Sequence, residues 1–274
     1  MRLWHLAIEF SGIETYVIAM THRPTKTELG LPIQITTCLF DLDGVLTDTA
    51  RMHALAWKEM FDVFLKVQAA RSGEGFIAFD ERNEYGRYVD GKTRLEGTRS
   101  FLASRHIMLP EGSPNDKPGM ETVNGLANTK NAIVNQKIRE ERVMAYAGSV
   151  RYVKAVQAAG MRRAVVSSSA NCKEVLESAG ISELFETRID GLFAAEQHLA
   201  GKPAPDTFLA AARLLGATPE QSAVFEDALA GVEAGRAGGF GFVVGVDRVG
   251  QAAELHASGA DVVVIDLAEL LERS

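Results

Sequence analysis

The 274-residue sequence predicts an α/β fold: a doubly wound parallel sheet with a second, α-helical domain inserted near its start. Three observations point there. From about residue 149 onward, short β-branched runs alternate with amphipathic helical stretches, the pattern of a parallel sheet covered by helices on both faces. One more apolar run, Ile35 to Phe40, stands far upstream of that array. Between them, up to about Met144, the chain is helical, rich in loops and poor in strands. The resulting division is an N-terminal extension at residues 1–33, expected to be flexible, a core at 34–50 and 146–274, and a helical insert at 51–145.

The totals set the outer limits. The length is enough for one large domain or two modest ones with a real core. Composition is that of a globular protein, 46% hydrophobic and 24% charged. A net charge of -7 and a pI of about 5.5 give no basic footprint for nucleic acid. An anionic substrate would need locally placed cations against that background. Two cysteines, Cys38 and Cys172, are too few for a disulfide scaffold and suit a reducing cytoplasm. No apolar run reaches the length of a membrane span. Met1 to Met20 carries Glu9 and Glu14 in its apolar part and lacks a clear cleavage site, so it makes a poor signal peptide. Thr21 to Gly30 is polar and reads as a disordered lead-in.

The elements follow in order. Ile35 to Phe40 is a buried strand. Thr47 to Lys66 is an amphipathic helix, with Trp57 and Phe61 on one face, expected simply as core. Arg71 to Gly75 and Pro110 to Gly119 are loops by their glycines and prolines. Arg94 to Leu102 and Leu126 to Val143 are helical. Val150 to Ala159 is a helix ended by Gly160, and Ala164 to Val166 is a strand. Helices at Asn171 to Ala179, Asp206 to Leu215 and Leu229 to Ala237 alternate with strands at Ala223 to Phe225, Phe242 to Val244 and Val262 to Ile265.

Polar residues collect where strands end. The first strand runs into Asp41-Leu42-Asp43-Gly44, and doubly wound sheets hold their ligands at the carboxyl ends of strands. Alone, this tetrapeptide is evenly balanced between an Asp-Gly turn and an active pair of carboxylates. Ser167-Ser168-Ser169 follows Val166; it suits an anion, and it equally suits a helix cap. Lys202 sits in the stiff loop Gly201-Lys202-Pro203-Ala204-Pro205, as a phosphate partner or as an ordinary surface lysine. Glu226-Asp227 follows Phe225, and carboxylates gathered beside Asp41 would repel unless a hard cation such as Mg²⁺ sat among them. Together these supply a nucleophile, a proton carrier, an anion cradle, a cation and a metal box, the components of phosphoryl transfer through an aspartyl-phosphate.

The order Asp41-x-Asp43-Gly44-Val45, Ser167, Lys202, Glu226-Asp227 resembles the haloacid dehalogenase superfamily. Within it the chain is similar to the β-phosphoglucomutase family, through Phe40 to Ala50, His53 with Ala56-Trp57-Lys58, Gly201 to Asp206, and Glu226-Asp227 with Ala230-Gly231. The resemblance covers roughly Thr37 to the C-terminus, strongly in the core and thinly in the insert. It implies a Rossmann-like core and a mobile cap. It makes Asp41 the nucleophile and a metal ligand, and Asp43 the general acid/base, with its main-chain carbonyl on the metal. Glu226 and Asp227 would complete a Mg²⁺ site. Ser167, the Ser168 amide and Lys202 would hold the transferring phosphate. Arg94, in the cap loop Gly91-Lys92-Thr93-Arg94, would grip a second phosphate together with Ser169 and Asn171. His53 and Lys130 match cap residues that help position Asp43 and the sugar. The chain departs from the pattern in extra cap loops at Arg71 to Asp80 and Leu109 to Gly119, and in Ala170, where relatives often have a basic residue.

The expectation is Mg²⁺-dependent interconversion of β-glucose 1-phosphate and glucose 6-phosphate by a cytoplasmic monomer. Its substrate is a small phosphorylated sugar, with no nucleic-acid or membrane partner. The main alternative is a phosphatase on the same scaffold, which differs in whether water attacks the aspartyl-phosphate. A non-catalytic phosphosugar-binding module is a third reading, and it sits badly with the complete set Asp41, Asp43, Lys202, Glu226 and Asp227.

Overall fold

The computed structural model describes residues 23–272. The run that opens the core forms β1 (Thr37–Phe40), buried along its whole length. Its alternate residues feed two cores: Cys38 and Phe40 join one, Leu39 the other. That is the two-residue period of a strand covered on both sides. β2 (Arg162–Val166) and β4 (Ser222–Glu226) flank it in parallel, with Leu39 in register with Ala164 and Val224. With β3 (Thr187–Ile189), β5 (Phe242–Val246) and β6 (Val262–Val264), the sheet has six strands in the order β3-β2-β1-β4-β5-β6. The chain winds outward from β1 to β3, then returns past β1 to β4. The reversal opens a crevice at the carboxyl ends of β1 and β4.

Three α-helices form the insert that follows β1: α1 (Ala50–Ser72), α2 (Arg94–Ser104) and α3 (Val123–Glu140). α1 starts later than its periodicity suggests because Thr47 is bridged to Ala145. It also runs further, through the good helix formers Gln68, Ala69 and Ala70, until Gly73 ends it in a left-handed conformation. Threonines cap the other two: Thr93 Oγ1 accepts from the Glu96 amide, and Thr122 Oγ1 from the Gly125 amide. The three helices share a core of their own in which Phe61 stacks on Trp57 at 5.3 Å and meets Phe101 at 3.9 Å. Two chain crossings join this cap to the sheet and pair with each other, Tyr146 N donating to Leu46 O and Asp48 N to Met144 O.

On the Phe40 side of the sheet lie α4 (Ala147–Ala158), α5 (Cys172–Ser178) and a last turn at Leu267–Glu272. α6 (Gly191–Glu196) follows β3. On the Leu39 side lie α7 (Asp206–Leu214), α8 (Leu229–Ala237) and α9 (Ala252–Ser258). β3, α6 and α9, at 3, 6 and 7 residues, are too short for a period to announce itself in the sequence. The disordered reading of Thr21 to Gly30 is corrected at its end. Thr27–Leu29 forms a turn, Leu29 and Leu31 enter the main core, and Tyr152 Oη donates to Leu29 O at 2.9 Å. Two leucines in a polar stretch were enough to anchor it. The rest of the predicted N-terminal extension, residues 1–22, lies outside the described residues. No helix among the described residues is long and apolar enough to cross a membrane.

Candidate active site

Asp41 sits at the end of β1, its amide bonded to Phe225 O of β4, so its place is fixed by the sheet itself. The chain then turns tightly, with Leu46 and Thr47 amides both donating to Leu42 O. Gly44 has φ +89°, and a Cβ there would fall 1.8 Å from Asp227 Oδ2. Both the backbone and the close approach of Asp227 therefore demand glycine. The turn brings Asp43 back over the sheet rather than away from it.

Beneath this turn Lys202 is 1% exposed, which removes the surface-lysine alternative. Its Nζ lies 2.5 Å from Asp41 Oδ1 and 3.1 Å from Val166 O, and it also bonds Glu226 Oε1. Burial works against its charge, but Asp41 and Glu226 outweigh burial and hold its pKa above the usual lysine range. Glu226 is the last residue of β4 rather than the first of a loop, and its other oxygen accepts from the Ala228 amide. Asp227 has its main-chain carbonyl held by Gln251 Nε2 at 2.9 Å.

Asp41, Glu226 and Asp227 each offer an oxygen within 4.8 Å of the others, and all three are buried. Burial raises the Asp41 and Asp227 carboxyls well above the carboxylate range. Lys202 opposes this at Asp41 while Glu226 and Asp43 add to it; Asp90, Asp41 and Glu226 add to it at Asp227. Crowded carboxylates with one lysine among them leave an excess of negative charge. A hard divalent cation fits that donor set, being bound by oxygen and stabilising the ionised forms.

Asp43 has three polar neighbours, of which Thr49 and Ser167 hydrogen-bond it. Thr49 Oγ1 donates to its Oδ1, His53 Nε2 stands 3.6 Å from the same oxygen, and Ser167 Oγ lies 3.4 Å from Oδ2. Behind His53, Lys130 Nζ reaches Nδ1 at 3.0 Å and lies 4.9 Å from the centre of the Trp57 ring. A lysine can only donate while charged, so Nδ1 accepts and the ring proton faces Asp43 from Nε2. Burial, with Lys130 beside it, lowers the His53 pKa to about 4. Burial likewise lowers Lys130 to about 7, against the pull of Asp43. Trp57, expected only as core, is thus also the floor under a charged side chain of the cleft.

The serines organise the turn that leads into α5 and its contact with the cap. Ser167 Oγ accepts from the Ser169 amide and Ser169 Oγ from the Asn171 amide, two local turns ahead of α5, whose N-cap is Asn171 with no side-chain bond, so the expected serine cap is not formed. Ser168 Oγ donates to Gly91 O of the cap at 2.7 Å, and Asn171 Nδ2 to Asn131 Oδ1 at 3.3 Å. Core and cap therefore meet directly over the cleft. Gly91, at φ +69°, packs so closely there that a Cβ would lie 2.9 Å from Ala228 Cβ. Arg94 opens α2, and its buried Nε has no hydrogen-bond partner.

Asp41, Asp43, Asp227, Ser168, Ser169 and Asn171 line one side of the cleft; His53, Gly91, Arg94 and Lys130 line the other. Ser167, Lys202 and Glu226 lie beneath its floor, buried and in contact with the residues that line it. Three contributors escaped the sequence. A π-helical turn, Tyr85–Val89, brings Tyr85 and Asp90 into the cleft, where burial raises the Asp90 carboxyl to about 7. Arg248, just after β5, donates from Nε to Gly44 O at 2.7 Å and stacks on Tyr146 at 3.7 Å. Polar Asp247-Arg248 at a strand end was the same signal as the others, unread because no motif accompanied it.

Comparison with known proteins agrees with this architecture. The family model for haloacid dehalogenase-like hydrolases matches residues 35–239. A β-phosphoglucomutase of Mycobacterium bovis is 54% identical over 262 residues, spanning 93% of this chain and all of its own length. The β-phosphoglucomutase of Bacillus subtilis is 31% identical over 235 residues, spanning 85% of this chain and 90% of its own. Among solved structures, a β-phosphoglucomutase from Clostridium difficile superposes with a TM-score of 0.65 at 27% identity, covering 86% of this chain and 93% of that one.

Proposed function

Because the chain belongs to the haloacid dehalogenase-like hydrolases, in their β-phosphoglucomutase-like branch, we propose that it interconverts β-glucose 1-phosphate and glucose 6-phosphate through an aspartyl-phosphate on Asp41. It is an enzyme of phosphate esters, and the fold and donor set support transfer at one carboxylate. Asp41 Oδ2 attacks phosphorus while Oδ1 stays with Lys202, and the bond from phosphorus to the sugar oxygen breaks. Asp43 gives its proton to that departing oxygen and, in the return step, takes one from the incoming hydroxyl. Thr49 and Ser167 hold Asp43 in reach, with the His53 ring beside it. Ser167, Ser168 and Lys202 neutralise and orient the transferring group. Asp41, Glu226, Asp227 and the main-chain carbonyl of Asp43 are the residues that would hold Mg²⁺. That ion, when bound, offsets negative charge on the phosphoryl oxygens and the carboxylates.

One observation favours a mutase over simple hydrolysis: the cap places Arg94, with an unpartnered buried Nε, in the cleft that Asp41 lines. A phosphatase needs one phosphate site. A mutase passes through a bisphosphate that must turn round, so it needs a second, and Arg94 with Ser169 and Asn171 would form it. Direct contact between core and cap supports exclusion of water while a sugar hydroxyl accepts the phosphoryl group. Phosphorus NMR tests the proposal. Protein given β-glucose 1-phosphate, Mg²⁺ and a trace of glucose 1,6-bisphosphate should yield glucose 6-phosphate. Inorganic phosphate as the sole product would transfer the conclusion to a phosphatase.

A further inference from the structure

We propose that Asp90, aimed by Tyr85, is the residue that selects a hydroxyl-bearing substrate, accepting a hydrogen bond from a sugar hydroxyl; the inference rests on the mutase reading above. The cap side of the cleft is chemically divided. Arg94 and Lys130 are cationic and suit phosphate. Asp90 is the one carboxylate that the cap contributes among the described residues lining the cleft; Asp41, Asp43 and Asp227 come from the core. A carboxylate repels a phosphate and accepts from a donor, and on a phosphorylated sugar the donors are hydroxyls.

Asp90 is also built to face inward. The π-helical turn Tyr85–Val89 adds a residue to the helical repeat, a distortion that recurs at functional sites. Through it the Asp90 amide donates to Tyr85 O at 3.0 Å, and the Tyr85 hydroxyl returns to the Asp90 carboxylate. The Gly91 amide donates to Asp90 Oδ1 at 3.1 Å. A carboxylate has about four acceptor positions. Two are used, both in holding its orientation, and the others are left for the cleft. Asp90 is outside the group of carboxylates close enough to share a cation, so its acceptors are not committed there. It stands four residues before Arg94 on one loop, so a single segment reads the hydroxyl and the distal phosphate together.

The experiment measures kcat/KM for glucose 6-phosphate and its 2-, 3- and 4-deoxy analogues, with wild type, Asp90→Ala, Asp90→Asn and Tyr85→Phe. Wild type should lose about ten- to a hundred-fold on one analogue, the range of a hydrogen bond to a charged group. For the same pair of substrates, Asp90→Ala should lose less than about two-fold, since the acceptor is gone from both arms. Tyr85→Phe, a positioning change, should narrow the wild-type ratio without abolishing it. Asp90→Asn keeps the size and one oxygen; it gives the same reading if the alanine variant does not fold, and its ratio should fall well below that of wild type. A wild-type ratio that persists in both Asp90 variants overturns the inference, and so does a wild type indifferent to all three deoxy positions. If wild type fails to convert glucose 6-phosphate itself, the mutase reading falls and this inference with it; the parent sugar alone reveals that, before any variant is made.

Discussion

Gly44→Ala is the sharpest single perturbation, because it adds one methyl group and removes none of the proposed catalytic or metal-binding side chains. At φ +89° an alanine pays about 1–2 kcal/mol in backbone strain. The new Cβ would stand 1.8 Å from Asp227 Oδ2 and 2.5 Å from its Cγ. Ordinary contact needs about 3.5 Å, so the carboxylate must move by about 1.5 Å or more. Its backbone cannot follow freely, because Gln251 holds the Asp227 carbonyl. The side chain must therefore rotate, at roughly 0.5–1.5 kcal/mol if it leaves its rotamer, and in doing so it leaves the group it forms with Asp41 and Glu226. The fold should lose about 2–3 kcal/mol, or roughly 4–10 °C in Tm for a protein of this size. The Mg²⁺ concentration for half-maximal activity should rise on the order of 100-fold, the upper end of the 10–100-fold typical of changes outside the ligand set. Mg²⁺ titration of turnover alongside a thermal melt separates the two effects. A variant that melts early and keeps wild-type Mg²⁺ dependence would show that Asp227 does not hold the ion, and the reasoning from the turn would fail.

Three further outcomes are expected. Asp41→Asn should abolish turnover, by about 10³-fold or more, and prevent labelling of the protein from a phosphoryl donor; retained turnover would remove Asp41 as nucleophile. Arg94→Ala should reduce isomerisation of the sugar phosphate about 100-fold, but hydrolysis of a small phosphate ester much less, measured as separate kcat/KM values; equal losses would argue against a distal grip. Lys130 takes a proton near pH 10.5 when unfolded and near 7 when folded, so charging it costs stability as pH falls from about 10 to 7, and the cost is complete below 7. Lys130→Met should therefore gain on wild type over that interval, by up to about 5 kcal/mol in urea melts at the two pH values. A difference that does not change with pH would refute the depressed pKa.

Much of this was legible because the core announces itself locally. β1, β2, β4 and β5 are β-branched or aromatic runs long enough to read, and each of the first three ends in the polar residues that the site uses. Long-range facts were not legible. Nothing in the sequence says that Lys202 sits under Asp41 rather than in solvent, because its burial depends on Glu226 coming from a different strand. Tyr85 and Asp90 were hidden for a local reason: a π turn has neither the 3.6-residue nor the two-residue period that pattern reading detects. Arg248 acts through a main-chain carbonyl, Gly44 O, which no side-chain motif encodes. Leu29 and Leu31 show the opposite error, where a polar composition concealed two anchoring side chains.

Where the residues fall divides the proposed reaction between core and cap. The proposed nucleophile, proton carrier and metal ligands gather at the carboxyl ends of β1 and β4, where Asp41 N donates to Phe225 O. The proposed hydroxyl acceptor Asp90 and the arginine of the second phosphate grip, Arg94, belong to the cap, which has its own hydrophobic core and reaches the sheet through two paired chain crossings; Ser169 and Asn171 would complete that grip from the core. Over the cleft the two halves are joined by Ser168 to Gly91 and by Asn171 to Asn131. Each such neutral hydrogen bond contributes about 1 kcal/mol, and each can be replaced by water when the halves part. A mutase requires that combination. Closure must exclude water during each transfer, yet must be weak enough to release so that the bisphosphate can turn end for end. A cap fastened by a large apolar interface would keep water out and also keep the intermediate from turning, whereas the polar contacts over the cleft would let the proposed site carry out both transfers.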